Sequence, residues 1–365
     1  MNTPVLDRQN PGPSPHPSAG PLAAPVPFSP GGQVLTLAGT GSYLPDTRID
    51  VTDAADRYPT DRDRILATGY ATVTAEETLY PADMALIAAQ RALAAAGVKP
   101  ADLRLLFVSG IHRHGHKRLW SPASWLQSQL GCPQALPLTV NQGCNAQMLG
   151  LDIAARFLGG AGGGHALVVA TDRFADSGFD RFTADYGIVY GDGAAAAVLT
   201  TDPGAAGWRV LATHTVSDPG LEGLHRADRP APERPELLDA EHDVRSAKRR
   251  FLGEHGMDRL REATRAAVGE ISRTLLPAGT GPAPRRVIYP NLGLKLLEEN
   301  YFPEFPGGAD ASLWDFGRTV GHLGSGDQIA GLDHLADGGF APSDRLLLLG
   351  AGSGFSWTGM LLARV

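Results

Sequence analysis

A chain of 365 residues, 43% hydrophobic and 19% charged, has ample material for a large buried core. Its net charge of −7 and the lack of a long basic run argue against nucleic acid as a partner. No apolar run approaches the ~20 residues that span a bilayer, no secretory signal pattern opens the chain, and two cysteines are too few for a disulfide scaffold, so no membrane is expected and a reducing cytoplasm is the expected setting.

Residues 1–33, rich in Pro, Gly, Ser and Ala, read as a disordered tail because such a segment buries too little apolar surface to offset its ordering entropy. From Val34 onward short apolar runs alternate with helical patterns. VLTLAG, RLLFVSG, LPLTVN, ALVVAT and AAAAVLT read as strands, and Asp83 to Ala96 and Gln147 to Leu158 as Ala-rich helices. After about residue 205 the order repeats more loosely. WRVLATHTV, RRVIYPN, DRLLLLGAG and MLLARV read as strands, and Asp243 to Leu276 as one long charged amphipathic helix or a helix pair. Asp218 to Glu241, with Pro230, Pro232 and Pro235, reads as a surface excursion. Alternating strands and helices imply an α/β fold, and two similar halves, 34–204 and 205–365, imply a layered α-β-α-β-α sandwich.

The most informative segment is LPLTVNQGCNAQMLGLDIAARFL, in which a strand ends at Val140, Gly143 turns the chain, and a helix follows Cys144. A cysteine at a helix N-terminus meets unpaired backbone N–H groups and the positive end of the dipole, which favour the nucleophilic thiolate. The competing reading is an ordinary buried core cysteine, which is how Cys132 in LGCPQ is read. His112, His114 and His116 share one face of an extended segment, yet no further ligand stands nearby, so a polar loop, or the pocket lining that the resemblance given below implies, is favoured over a metal site. The Gly-rich turns lack the spacing of a dinucleotide or Walker loop, and no cofactor is expected.

Four stretches in the right order over nearly all of residues 34–365 resemble β-ketoacyl-carrier-protein synthase III: GTGSYLPDTRI (39–49), GCNAQMLGLDIA (143–154), YGDGAAAAVL (190–199) and GAGSGFSWTGMLLARV (350–365). The resemblance implies a thiolase-like fold, a homodimer, and a Cys-His-Asn site that condenses an acyl group with malonyl-carrier protein. It also implies an oxyanion hole built from the backbone N–H groups of Cys144 and Gly354. The chain departs from that pattern at two places. The stretch aligned with the family's histidine, VIYPNLGLKLL, offers Pro290 and Asn291, and the stretch aligned with its asparagine, VGHLGSGDQIAGL, offers His322.

Decarboxylative condensation relies on two neutral donors that hold the enolate oxygen. Their loss, together with a histidine and with Asp327 five residues beyond it, gives Cys144, His322 and Asp327 the makings of an acyl-transfer triad of nucleophile, base and orienter. The expected activity is transfer of an acyl group from a carrier-protein thioester (or acyl-coenzyme A) to a hydroxyl or amine of a small-molecule acceptor, in specialised polyketide-type metabolism. Members that use coenzyme A hold its adenine with a Trp and an Arg; the matching TDRDRILATGY has no aromatic before Tyr70 and Ala67 in the Arg place, which favours a carrier protein. Arg245, Lys248, Arg249 and Arg250 form a candidate docking patch for it, or else a plain solvated helix face. Two readings stay open at single residues. Asp327 serves as orienter or as a helix cap, and Asn291 as donor to the acyl oxygen or as loop holder. A starter-unit ketosynthase and a non-catalytic partner subunit are the alternative functions; retention of Cys144 argues against the second.

Overall fold

A computed structural model describes residues 34–112, 120–175, 180–225, 244–335 and 338–365. The Pro-rich tail, His114, His116 and most of the Asp218–Glu241 excursion lie outside the described residues.

All nine expected strands form. They are β1 (Thr36–Tyr43), β4 (Leu103–Ser109), β5 (Leu136–Val140), β6 (His165–Asp172), β7 (Gly193–Thr200), β8 (Trp208–Ser217), β9 (Arg286–Ile288), β10 (Arg345–Gly352) and β11 (Ser356–Arg364). A small antiparallel pair, β2 (Arg48–Asp50) and β3 (Thr72–Thr74), joins them. The helices are α1 (Val51–Ala55), α2 (Arg62–Leu66), α3 (Pro81–Ala96), α4 (Pro122–Leu130), α5 (Ala146–Gly160), α6 (Val244–His255), α7 (Arg259–Leu275), α8 (Leu294–Asn300), α9 (Trp314–Val320) and α10 (Asp327–His334). The long charged segment is therefore a helix pair, α6 and α7.

The nine strands form one sheet in the order β5-β4-β6-β7-β1-β8-β11-β10-β9. Its two sides repeat one pairing rule. In the first, β4 runs parallel to β6, which is antiparallel to β7, which is antiparallel to β1. In the second, β9 runs parallel to β10, which is antiparallel to β11, which is antiparallel to β8. The sides meet where β1 pairs with β8 at Thr36 and Leu37. Under this correspondence α5, which leads into β6, is the counterpart of α10, which leads into β10.

Alternation along each strand sorts the side chains into layers. Ala166 and Val168 of β6 join Leu346 and Leu348 of β10 in a central core with Met148, Leu151 and Leu158 of α5 and Ile329 and Leu332 of α10. Leu167 and Val169 face the opposite way, onto Met84, Ala88 and Ala92 of α3. Leu347 and Leu349 likewise face Val268 and Ile271 of α7. The layers thus run α3, strands, α5 with α10, strands, α7. Strands covered on both faces read as near-continuous apolar runs, which is why they stand out in the sequence.

Helix α5 lies so close to β4 that a side chain at Gly150 would place its Cβ 2.6 Å from the Phe107 ring and 3.0 Å from Val168. Gly150→Ala is expected to lower stability by ~1–3 kcal/mol through overpacking. Phe107→Leu in the same chain should recover part of that loss. Thermal or denaturant melts decide, and an alanine variant that melts with the parent would refute this account of the α5 position.

Candidate functional site

The turn before α5 presents Cys144. Gly143 adopts φ +57°, and a Cβ there would sit 2.9 Å from the Ser353 backbone nitrogen. On its other side, a Cβ at Gly352 would meet the Asn145 nitrogen at 2.3 Å and the Cys144 nitrogen at 2.9 Å. The closing Gly-rich turn therefore packs directly on the backbone of Cys144. Asn145, the N-cap residue of α5, ties the turn to β11 by donating from Nδ2 to the hydroxyls of Ser356 and Thr358, each at 2.9 Å. Cys144 is partly exposed, whereas Cys132 is buried and donates to the Gln127 carbonyl at 3.6 Å. Burial pushes the Cys132 thiol up, which suits a structural residue.

The counterpart turn, before α10, carries His322 and Asp327. Backbone bonds seat His322 beside the segment that leads into β7: its N–H donates to the Val189 carbonyl at 2.9 Å, and its carbonyl accepts from Gly191 at 3.0 Å. The imidazole Nδ1 meets Asp327 Oδ2 at 2.5 Å, and both residues are 1% exposed. A carboxylate can only accept, so Nδ1 carries the hydrogen and Nε2 is left for other chemistry. Nε2 is buried and has no hydrogen-bond partner of normal geometry. Burial alone would lower the imidazole's proton affinity, but the Asp327 carboxylate and then the nearby Cys144 sulfur outweigh it and hold the group well above the ordinary histidine range. Cys144, His322 and Asp327, drawn from two counterpart turns, thus come together.

Asp327 does not cap its own helix. Gly326 is the N-cap residue, and the Asp327 carboxylate accepts instead from His322, from the Leu323 N–H at 2.7 Å and from the Asn291 N–H at 2.8 Å. Of the two readings for Asn291, its contacts are those of a loop holder. Its side chain is buried and donates from Nδ2 to the Gly321 carbonyl at 2.9 Å, while its own carbonyl accepts from the Tyr70 hydroxyl. Gly354, with φ +115°, lies near the Gln142 side chain in the turn that follows β10. His112 sits with its ring 5.3 Å from that of Phe174, and no group of three or more His, Cys, Asp and Glu that could hold a metal occurs among the described residues.

The basic patch on α6 needs correction. Lys248 is 8% exposed and its ammonium lies 2.5 Å from the Asp185 carboxylate, so it points inward. Arg245 is committed to Asp61 at 2.9 Å, and Arg249 donates to the Tyr186 hydroxyl. Periodicity placed Lys248 among solvated neighbours because its buried partner lies 63 residues earlier in the chain.

Two residues near the site escaped sequence reasoning. Asp172, the last residue of β6, is buried and accepts from the Ile111 and His112 N–H groups at 2.7 and 2.9 Å. Burial lifts its carboxyl to about 7, against the pull of those N–H groups and of His322. Tyr190 lies with its ring 5.2 Å from the His322 ring. A carboxylate closing an otherwise apolar strand was the available signal for Asp172; Tyr190 offered none beyond its place before a glycine turn.

Comparison with known proteins bears on the chain as a whole. The chain matches the model of 3-oxoacyl-[acyl-carrier-protein] synthase III over residues 138–219 and that of its C-terminal part over residues 305–364. It is 33% identical to the β-ketoacyl-[acyl-carrier-protein] synthase III of Sphingopyxis alaskensis over 48% of this chain and 55% of that protein. It is 24% identical to the enzyme of the same name from Desulfotalea psychrophila over 90% of this chain and 99% of that one. The chain thus spans little more than half of the first relative and nearly all of the second. Among solved structures, the acyltransferase ChlB3 superposes with a TM-score of 0.80 at 30% identity, covering 91% of this chain and 98% of that one. A synthase III from Aquifex aeolicus, 21% identical with a TM-score of 0.69 over 90% of this chain and 99% of that one, shares the fold. With these matches over a thiolase-type layered fold, the chain belongs to the 3-oxoacyl-[acyl-carrier-protein] synthase III-like family.

Proposed function

We propose that this protein is an acyltransferase that carries an acyl group on Cys144 and delivers it to a hydroxyl or amine. The observation that carries the reading is the buried His322–Asp327 pair beside Cys144, in a site whose other family position holds Pro290 and Asn291. An imidazole gripped by a carboxylate at Nδ1 is arranged to take and return protons at Nε2. It is not the neutral donor that steadies an enolate. Asn291, its amide engaged by Gly321, is poorly placed to replace the missing histidine. Similarity at 30% identity to a protein named as an acyltransferase supports the same reading.

The reaction runs in two balanced halves. In loading, the Cys144 sulfur attacks the thioester carbonyl, the oxyanion rests on the N–H groups of Cys144 and Gly354, and the carrier's thiolate leaves with a proton from the imidazolium. In delivery, the acceptor attacks the Cys144 thioester while its proton passes to His322 Nε2, and the Cys144 sulfur is the leaving group. A carrier protein as donor, a small-molecule acceptor, a homodimer and a role in specialised metabolism, with halves meeting near residues 204 and 205, complete the proposal.

Three measurements test it. Intact-mass analysis with a panel of acyl-carriers should show a covalent adduct on the parent protein and none on Cys144→Ala; an undiminished adduct on the variant would remove Cys144 as nucleophile. Labelled malonyl-carrier protein should release no carbon dioxide above an enzyme-free control, and turnover to a β-ketoacyl product would instead favour a starter-unit ketosynthase.

The third concerns pH. Because the folded protein holds His322 above its ordinary value of 6.5, the charged form dominates at and below that pH, and the free base appears only as pH rises through the raised value. In preloaded enzyme the acylated Cys144 sulfur no longer raises the imidazole, and Asp327 still does. Delivery in single turnover should therefore climb with pH through an inflection above the ordinary histidine range but below that of the free enzyme. Asp327→Asn removes the largest influence that raises it, so the inflection should move down and the plateau rate fall by roughly 10²-fold or more. An Asn variant with the parent's profile would show that Asp327 only holds the turn.

A further inference from the structure

Asp327 grips the His322 ring at one nitrogen. Tethered through Cβ and hydrogen-bonded at Nδ1, the ring keeps only a small rocking freedom about its Cβ–Cγ bond, which displaces the free nitrogen unless a packing contact on the ring limits it. Tyr190 supplies such a contact. Its ring lies 5.2 Å from the imidazole, tilted 56°, and its backbone bridges to His322 in parallel register. The tyrosine is itself held: Phe174 packs 4.7 Å from one side, and the hydroxyl donates to Asp185 Oδ2 at 3.1 Å. Asp185 is pinned in turn by the Lys248 ammonium at 2.5 Å and by the Tyr186 N–H at 2.6 Å.

Lys248 and Asp185 are 8% and 3% exposed, so both charges have left water. A buried ion pair is a weak source of stability, since well-packed apolar residues of similar volume commonly serve as well or better. What the pair supplies is a fixed acceptor. Burial would raise the Asp185 carboxyl, but Lys248 brings it below the usual carboxylate range, and the Tyr190 phenol is held well above its own. A carboxylate thus receives a proton-bearing hydroxyl, and the bond has one sense only.

We propose that Tyr190, anchored by the buried Asp185–Lys248 pair, is a positioning residue that sets the orientation of the His322 ring so that Nε2 faces the Cys144 sulfur. The inference rests on the acyl-transfer reading for its catalytic meaning, but its geometry is independent of any donor or acceptor. It also gives the inward turn of Lys248 a role: α6 reaches through this line of contacts to the wall of the site.

The test reads the His322–Cys144 contact directly, through iodoacetamide alkylation of Cys144 across pH, followed by peptide mass with thermal melts alongside. The ionisable groups to be reckoned with are Asp327, Cys144 and Asp172 near His322, and Asp185, Tyr70 and Cys144 near Tyr190. Tyr190→Phe keeps the ring and loses the anchor. Its alkylation at neutral pH should fall on the order of tenfold, while at high pH, where any thiol ionises, it should match the parent. Replacing the pair together, Asp185→Leu with Lys248→Met, should give the same loss, and adding Tyr190→Phe to it should change nothing further. Parent-like alkylation in either folded variant would overturn the proposal, as would additive losses. If the parent takes no acyl group from any carrier yet the alkylation profiles change as stated, the positioning role stands and the acyl-transfer reading falls.

Discussion

The Asp327 carboxylate ties the loop after β9 to the turn that leads into α10. It receives the Asn291 N–H from the loop after β9, the Leu323 N–H from its own turn, and the His322 ring. At 1% exposure it has no solvent to fall back on, so each of these donors must be in place for the charge to be tolerated. The histidine's seat against the Val189 and Gly191 backbone follows from that fixed turn. So does the meeting with Cys144, because the cysteine turn is locked from its own side by Asn145 and the glycines of β10.

The two turns begin counterpart helices in the two halves of the sheet. Such a repeat brings equivalent backbone elements to one place, and the residues on them then diverge in chemistry. A cysteine stands on the α5 side, and a histidine with its carboxylate partner on the α10 side. Around them lies a shell of buried charge, with Arg181 on Asp192 at 2.9 Å beneath the Gly-Asp-Gly turn and Lys248 on Asp185 beyond Tyr190. Each pair is matched within the interior, which keeps the low-dielectric surroundings of the imidazole from being upset by a stray charge.

Much of this architecture was legible in the sequence because the strands are covered on both faces and so stand out as short apolar runs. The short pair β2 and β3 was not, since three residues carry no readable period. Cys144 could be placed by local chemistry, as glycine, cysteine and helix follow one another directly. His322 and Asp327 needed the family resemblance to be singled out, because nothing local sets this loop histidine apart from an ordinary one. Lys248 pairs with Asp185, Tyr190 meets the His322 ring and Asp172 accepts from Ile111, each across more than sixty residues, and a one-dimensional pattern sorts a lysine on an amphipathic helix to the solvent side. Only the closed fold reveals that the polar face of α6 turns partly inward.

The position of β11 bears on when the site comes into being. This strand pairs with β8 on one side and β10 on the other, and its Ser356 and Thr358 hold the Asn145 amide next to Cys144. The cysteine emerges from the ribosome more than two hundred residues before those hydroxyls do. During synthesis the thiol therefore exists for a long interval without its tether, and a chain cut before residue 356 keeps the cysteine but not the frame that aims it.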